Sequence, residues 1–349
     1  MDFLEALVNT AGVPGREEGV RALIEHRLRT KQLADEIQTD VLGSLIARRM
    51  PRTRDGKTPE RSKRVLLAAH MDQIGFLVSH ISREGFLYLH PVGAFDPRIL
   101  FARRVTVYAE TGEIFPGVVN GPGRPIHTVD AATLATTPKI DEFYVDLSMP
   151  PEAVKSAIRL GDMVVLDGKF AKVGNSVVGA GLDDRVGCWA IIRALETLQF
   201  HDCELICAWT VQEELGSRGA GPVSFGQSVD IGISCDTTVC AEVPEVAEEQ
   251  RVTKAGAGVA LQVADSSTLS DMTLVRTFER IAKDKSIPVQ RSLMVGGGQD
   301  GAPIQRSRLG VSTIVLSCPV KYLHTTVEMV RMEDLQSYCD MLHAFLAEV

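Results

Sequence analysis

Two adjacent carboxylates, Asp183 and Asp184, stand between glycines in the run Gly179-Ala180-Gly181-Leu182-Asp183-Asp184-Arg185-Val186-Gly187, near the middle of a 349-residue chain. Other polar residues of ligand type follow apolar runs. His70 and Asp72 come after Val65-Leu66-Leu67-Ala68-Ala69, Glu213 and Glu214 after the run from Leu205 to Val211, Asp236 after the run from Ile231 to Cys235, and His324 in the connection beyond Val311 to Leu316. Two imidazoles and several carboxylates without a thiolate suit Zn²⁺ or Co²⁺, and to a lesser degree Mn²⁺, better than a structural four-cysteine site. Five or more candidate ligands point to more than one ion.

Each of these residues alone has an ordinary role. Asp183 and Asp184 could cap a helix, because apolar residues at helical spacing (Cys188, Trp189, Ile191, Ile192, Leu195, Leu198) follow at once and acidic groups are favoured at helix N-termini. His70 could be a satisfied core histidine, Asp72 a turn cap, Glu213-Glu214 the first turn of a helix, Asp236 a cap, and His324 an exposed residue. Their shared placement at strand ends argues for one site, since ligands of open α/β sheets bind in the crevice outside the carboxyl ends of the strands.

The elements that must position them follow from the hydrophobic pattern. Apolar strands alternate with helical periods before residue 74 and after residue 165, which predicts an α/β fold with a mixed, largely parallel sheet covered by helices on both faces. Between these parts lie short strand-like runs such as Val105-Thr106-Val107-Tyr108, rich in glycine and proline. That stretch predicts an inserted small β-barrel or sandwich. The expected domains are therefore 1–73 with 166–349, and an insert spanning 74–165. The glycine-rich loop 296–301 lacks the Lys-Ser/Thr of a P-loop and the spacing of a dinucleotide fingerprint, and is read as lining a substrate pocket.

Composition narrows the class. The net charge of −8 and the absence of a dominant basic stripe argue against a nucleic-acid partner, and the basic run from Arg48 to Arg64 is read as exposed loop. Seven cysteines form no Cys-x-x-Cys pair and read as buried small hydrophobes in a reducing compartment. No basic-then-apolar leader and no run of eighteen or more apolar residues is evident, so no membrane partner and a cytoplasmic location are expected.

At this combination of residues the sequence resembles the tetrahedral aminopeptidases, metallopeptidase family 42, within the clan of co-catalytic di-zinc exopeptidases. The matching stretches are Ala69-His70-Met71-Asp72-Gln73-Ile74-Gly75-Phe76, Leu182 to Gly187, Gln212-Glu213-Glu214-Leu215-Gly216, Asp236-Thr237, Gly297-Gly298-Gln299-Asp300-Gly301 and Tyr322 to Glu328. The resemblance implies that Asp183 bridges two divalent ions, zinc or cobalt, with His70 and Asp236 completing one and Glu214 and His324 the other. It implies Glu213 as general base, Asp72 as the residue orienting His70, and a cis peptide between Asp183 and Asp184. It also implies short peptides as substrates and a homo-oligomer, dimers assembling to a dodecamer, with the insert serving assembly and substrate access. Gln73 stands where the family commonly has Glu, and Gln299 where it commonly has Thr, which bears on substrate preference. Arg98, Arg103 and Arg291 could favour acidic substrates if they reached the pocket. A related di-zinc deacylase or carboxypeptidase, or a non-catalytic scaffold of the same fold, are the alternative readings.

Overall fold

The structure, a computed structural model, describes residues 1–56, 59, 62–123 and 127–349. Eight strands form the main sheet: β1 (Glu36–Thr39), β2 (Leu45–Arg49), β3 (Arg64–His70), β4 (Glu204–Thr210), β5 (Ile231–Val239), β6 (Val259–Ala264), β7 (Val289–Leu293) and β8 (Ser312–Val320). Their order is β1-β2-β4-β3-β5-β8-β6-β7. The central strands β4, β3, β5 and β8 pair in parallel, as do β6 and β7, while β1–β2, β2–β4 and β8–β6 are antiparallel. The mixed, largely parallel sheet expected from the pattern is therefore present. The nearly unbroken burial of β3, β4 and β5 is what a strand covered on both faces requires.

One face of the sheet carries the larger core. There α1 (Leu182–Thr197), α2 (Met272–Lys285) and α3 (Met332–Leu346) join the N-terminal helices Asp2–Val8 and Glu18–Lys31, burying Trp189, Phe278, Tyr338 and Phe345. The other face is covered by the short helices Ala220–Gly226 and Gly301–Gln305 over Ile46, Leu66, Ala68, Ile206 and Ala208. Between β3 and β4 in sequence, six strands close into a barrel: Gly75–Ile81, Leu87–Val92, Arg103–Tyr108, Ile114–Asn120, Tyr144–Asp146 and Met163–Leu166. Its interior is filled by Phe76, Leu89, Val105, Val107, Val119, Phe143 and Val164.

Three details differ from the sequence expectation. β5 runs to Val239, so Asp236 lies inside a strand and not after it, and β8 likewise continues past Leu316 to Val320. The two strands pair along their whole length, and this mutual ladder extends both beyond their apolar runs. The basic run 48–64 includes residues 57, 58, 60 and 61, which lie outside the described residues. In its described part Arg48 and Arg49 end β2 and Arg64 starts β3. Arg49 is buried and donates to the carbonyls of Leu195 and Leu198 at 2.7 and 2.6 Å, so the two ends of the run are strand and not loop, while residues 51–56 lie outside the strands and are largely exposed, as expected.

The sheet is split between β3 and β5. The β3–β5 ladder stops at Ala68 with Ser234, although both strands continue, β3 to His70 and β5 to Val239. His70 and Asp236 therefore stand two residues beyond the last shared pair, on the two lips of a split. Among the described residues no helix is long and apolar enough to cross a membrane.

Glu17 fastens the N-terminal segment to this end of the sheet. Its Oε1 accepts the backbone N–H groups of Gly15 at 2.8 Å and Gln212 at 3.0 Å, and the residue is 3% exposed. Burial, and next the nearby Asp72 carboxylate, raise its pKa from 4.5 to about 7. Between those values the folded protein keeps a proton that the unfolded chain has released, so stability falls as pH rises through this window. Urea unfolding of the wild type against Glu17→Gln is expected to show a stability difference that moves against the wild type by up to about 3 kcal/mol from pH 4.5 to above pH 7. A difference independent of pH would contradict this.

Candidate metal centre

The acidic pair sits where a loop becomes α1. Gly181, at φ +74°, turns the chain in the left-handed region, and a Cβ there would approach Gln73 Oε1 to 3.0 Å. Asp183 and Asp184 are joined by a cis peptide bond and have non-helical backbone angles. Asp184 then accepts the N–H of Gly187 at 2.9 Å, which caps the helix proper. Asp183 is left free of the helix.

Both imidazoles give their Nδ1 to a backbone carbonyl: His70 to Asp72 at 3.0 Å, and His324 to Ala94 at 3.0 Å. A carbonyl only accepts, so Nδ1 carries the proton in each ring and the Nε2 lone pair is left free to coordinate. His70 Nε2 lies 3.4 Å from Asp183 Oδ1 and 3.9 Å from Asp236 Oδ1. His324 Nε2 lies 3.4 Å from Asp183 Oδ2 and 3.4 Å from Glu214 Oε1. One carboxylate thus faces two imidazoles, one oxygen to each. Lone pairs and carboxylate oxygens at these separations repel unless a proton or a cation lies between them.

The electrostatics point the same way. Burial raises Glu213 and Asp236 well above the usual carboxylate range and Glu214 to about 8. Asp184 is raised by burial as well. Burial would also lift Asp183, but hydrogen bonds from His324 and His70 hold it below its usual range. Burial lowers the histidines, and the facing carboxylates, Asp183 first, outweigh it to raise His70 and to bring His324 to about 10. Glu214 Oε1 and Asp184 Oδ2 are buried without a hydrogen-bond partner. The donor set fits a divalent cation: ligand atoms of His70, Asp183 and Glu214, and those of His70, Asp184 and Asp236, lie mutually within 4.8 Å.

The surrounding residues hold these groups in place. Asp72 is fully buried and accepts the N–H groups of Glu213 and Glu214 at 3.0 Å each, and its Oδ1 lies 3.5 Å from His70 Nδ1. Ser217 donates to Glu213 Oε1 at 2.8 Å. Thr237 donates through Oγ1 to Asp183 Oδ1 at 2.9 Å. The cluster opens on a cleft of about 1070 Å³ that also touches Val252, Leu293, Met294, Val295, Gln299 and Leu323. His70, Asp72, Asp183, Glu213, Glu214, Asp236 and His324, the seven residues given roles in the sequence reading, meet here, and Asp184 lies with them. Gln299 lines the cleft and donates to the Thr237 carbonyl at 2.9 Å, whereas Gln73 is buried beside Arg185 away from it. Arg98 pairs with Asp96 and Arg291 with Glu279. Neither they nor Arg103 lines the cleft.

Three participants were not singled out. Ala94 acts through its backbone carbonyl, which side-chain type cannot signal. Asp300 is buried, accepts from Thr210 Oγ1 and has its pKa raised to about 6 by burial. Glu328 is 2% exposed and accepts the N–H groups of Asp183 and His324. An acid between apolar residues at the start of a strand was the available signal for Glu328.

Comparison with known proteins gives consistent results. The M42 glutamyl aminopeptidase family profile matches residues 53–341. The chain is 30% identical over 353 residues to the lysyl aminopeptidase of Pyrococcus furiosus, covering 100% of this chain and 97% of that protein. Among solved structures, an aminopeptidase from the archaeon Desulfurococcus kamchatkensis is similar at a TM-score of 0.92 and 30% identity, covering 100% of this chain and 94% of the other. The TET1 peptidase of Pyrococcus horikoshii, described as assembling into a tetrahedron or a large octahedral shell, is similar at a TM-score of 0.86 and 28% identity, covering 100% and 99%.

The Ala94 carbonyl can be moved through its neighbour. Gly93 has φ +104°, and a Cβ there would lie 2.5 Å from Ile74 Cγ2. Gly93→Ala is expected to displace the loop from His324 and weaken Zn²⁺ or Co²⁺ binding by about tenfold or more, measured by equilibrium dialysis. Unchanged metal affinity in a folded variant would remove Ala94 from the site.

Proposed function

The chain belongs to the M42 glutamyl aminopeptidase family and is a peptide-bond hydrolase, and from that premise we propose that it is a metal-dependent aminopeptidase removing the N-terminal residue from short peptides. Two divalent ions, zinc or cobalt, are held per subunit. His70 and Asp236 hold one, Glu214 and His324 the other, and Asp183 both. The observation that carries this reading is Asp183, whose two oxygens each lie 3.4 Å from a different imidazole Nε2. Bound there, the ions supply Lewis acidity that acidifies a water and polarises a scissile carbonyl.

The remaining steps belong to the chain itself. Glu213 lines the cleft, adjoins Glu214 and is in neither ligand trio, which suits a general base. Starting as the carboxylate, it takes the proton from the attacking water and passes it to the leaving amine. Ser217 fixes one of its oxygens. Asp72 holds the backbone of residues 213 and 214 and the ring of His70 in one geometry. The free α-amino group of the substrate selects exopeptidase cleavage.

Segments 1–73 and 166–349 form the catalytic domain in this reading, and 74–165 serves assembly and substrate access. On the analogy of the TET1 structures, one described as a dodecamer and one as a tetrahedron or octahedral shell, the chain forms a homo-oligomer, a dodecamer that the family resemblance builds from dimers. The described cysteines are all free and six of the seven are buried, which supports a cytoplasmic location.

The decisive assay uses metal-stripped protein with Zn²⁺ or Co²⁺ restored, a panel of aminoacyl p-nitroanilides, and the matching N-acetylated substrates. Metal-dependent release from free N-termini only is expected, with Glu213→Gln lowering kcat by about 10²–10⁴-fold. Cleavage of the acetylated substrates would favour the deacylase reading. The cleft wall of Leu293, Met294, Val295 and Val252 is apolar, and its charged residues outside the catalytic cluster, Glu249 and Arg306, are opposite in sign. Leucyl and methionyl substrates are therefore expected to turn over faster than glutamyl or lysyl ones; the reverse ranking would show that another wall of the cleft reads the side chain.

A further inference from the structure

Glu328 is a buried acid that the mechanism above does not use. It starts the strand Glu328–Arg331, which pairs antiparallel with Ser176–Gly179, and Gly179 is the partner of Glu328 itself. That pair is the last of the ladder. Continuing the same register by four residues sets Asp183 opposite His324, and there the backbones have left strand geometry. Asp183 is non-helical next to its cis bond, and His324 is in the left-handed region at φ +59°. No ladder bond holds the two together at that level.

The carboxylate of Glu328 bridges the gap. Its Oε2 accepts the N–H of Asp183 at 3.1 Å, and its Oε1 accepts the N–H of His324 at 2.9 Å. Each oxygen is matched to one amide, and the contact joins residues 145 apart in sequence. We infer that Glu328 is a positioning residue: it fixes the bridging Asp183 and His324 relative to each other and thereby sets the tightness of the ion on the His324 side. The inference rests on the two-ion reading proposed above.

A carboxylate is needed for this task because both contacts require an acceptor. Glutamine offers one oxygen and one NH₂, so Glu328→Gln turns a donor toward either the Asp183 or the His324 amide. Both orientations disturb the same half-site, since Asp183 Oδ2 and His324 Nε2 face each other at 3.4 Å. The opposite half keeps His70 and Asp236.

The test is Co²⁺ binding to metal-stripped wild type, Glu328→Gln and Glu328→Asp, followed by dialysis and by the visible absorption of the bound ion. His324→Ala serves as the reference that retains only the His70 side. Wild type is expected to bind two ions. Both Glu328 variants are expected to weaken the His324-side ion by about 10–100-fold and the other by less than about threefold. Glu328→Asp keeps the charge but shortens the reach, so it decides the matter if Glu328→Gln does not fold. Two ions bound with wild-type affinities in the variants would overturn the role of Glu328 alone. Parallel weakening of both ions would mark it as merely structural, and fewer than two ions in the wild type would overturn the two-ion reading together with this inference.

Discussion

The structure depends on a surplus of buried negative charge at one end of the sheet. Asp72, Asp183, Asp184, Asp236, Asp300 and Glu328 are all buried, with Glu213 and Glu214 beside them. An unpaired buried carboxylate is costly, and such groups are compensated by hydrogen bonds, by protonation or by cations. The chain uses backbone amides first: Asp72 takes two, Glu328 two and Asp184 one. Arg185 supplies a buried guanidinium, whose pKa burial lowers to about 10 and which is therefore still a cation at neutral pH. It is committed to the carbonyls of Leu7, Thr10 and Gly12 and to Gln73. What those donors leave unmatched is concentrated between the two imidazoles, where only protons or metal ions can balance it.

Sheet geometry decides where that surplus can exist. A continuous ladder between β3 and β5 would fill the space between His70 and Asp236 with backbone. The split after Ala68 and Ser234 separates the strands while β4 and β8 keep them rigid from outside, through pairs reaching Thr210–His70 and Asp236–Ser317. Ligands carried on rigid strands keep their spacing better than ligands on loops. His324, the Glu213–Glu214 turn and Asp183 at the loop-to-α1 junction are the exceptions, and these are the groups given extra anchors by Glu328, Ala94 and Asp72.

Much of this was legible in the sequence because the same residues carry both signals. The apolar run from Val65 to Ala69 announces a central strand, and the abrupt His70 marks its end. The insert announced itself by the change of period between residues 74 and 165, although composition alone left barrel and sandwich open. What escaped was set by pairing between distant segments. Asp236 reads as a strand terminus until the ladder with β8 carries the strand past it, and Glu328 has no role legible in the sequence until Gly179 is placed beside it. The Ala94 carbonyl has no side-chain signature at all, since any residue would offer the same oxygen.

That carbonyl gives the barrel a stake in the chemistry. Ala94 follows the barrel strand Leu87–Val92, while the imidazole it orients belongs to the far end of the chain. The barrel is thus wired to the basicity of the His324 ring, and any force that shifts how it sits on the main sheet reaches Nε2 of His324 through one hydrogen bond. A boundary drawn at the barrel's edges for excision or exchange would cut through the candidate metal centre and not around it.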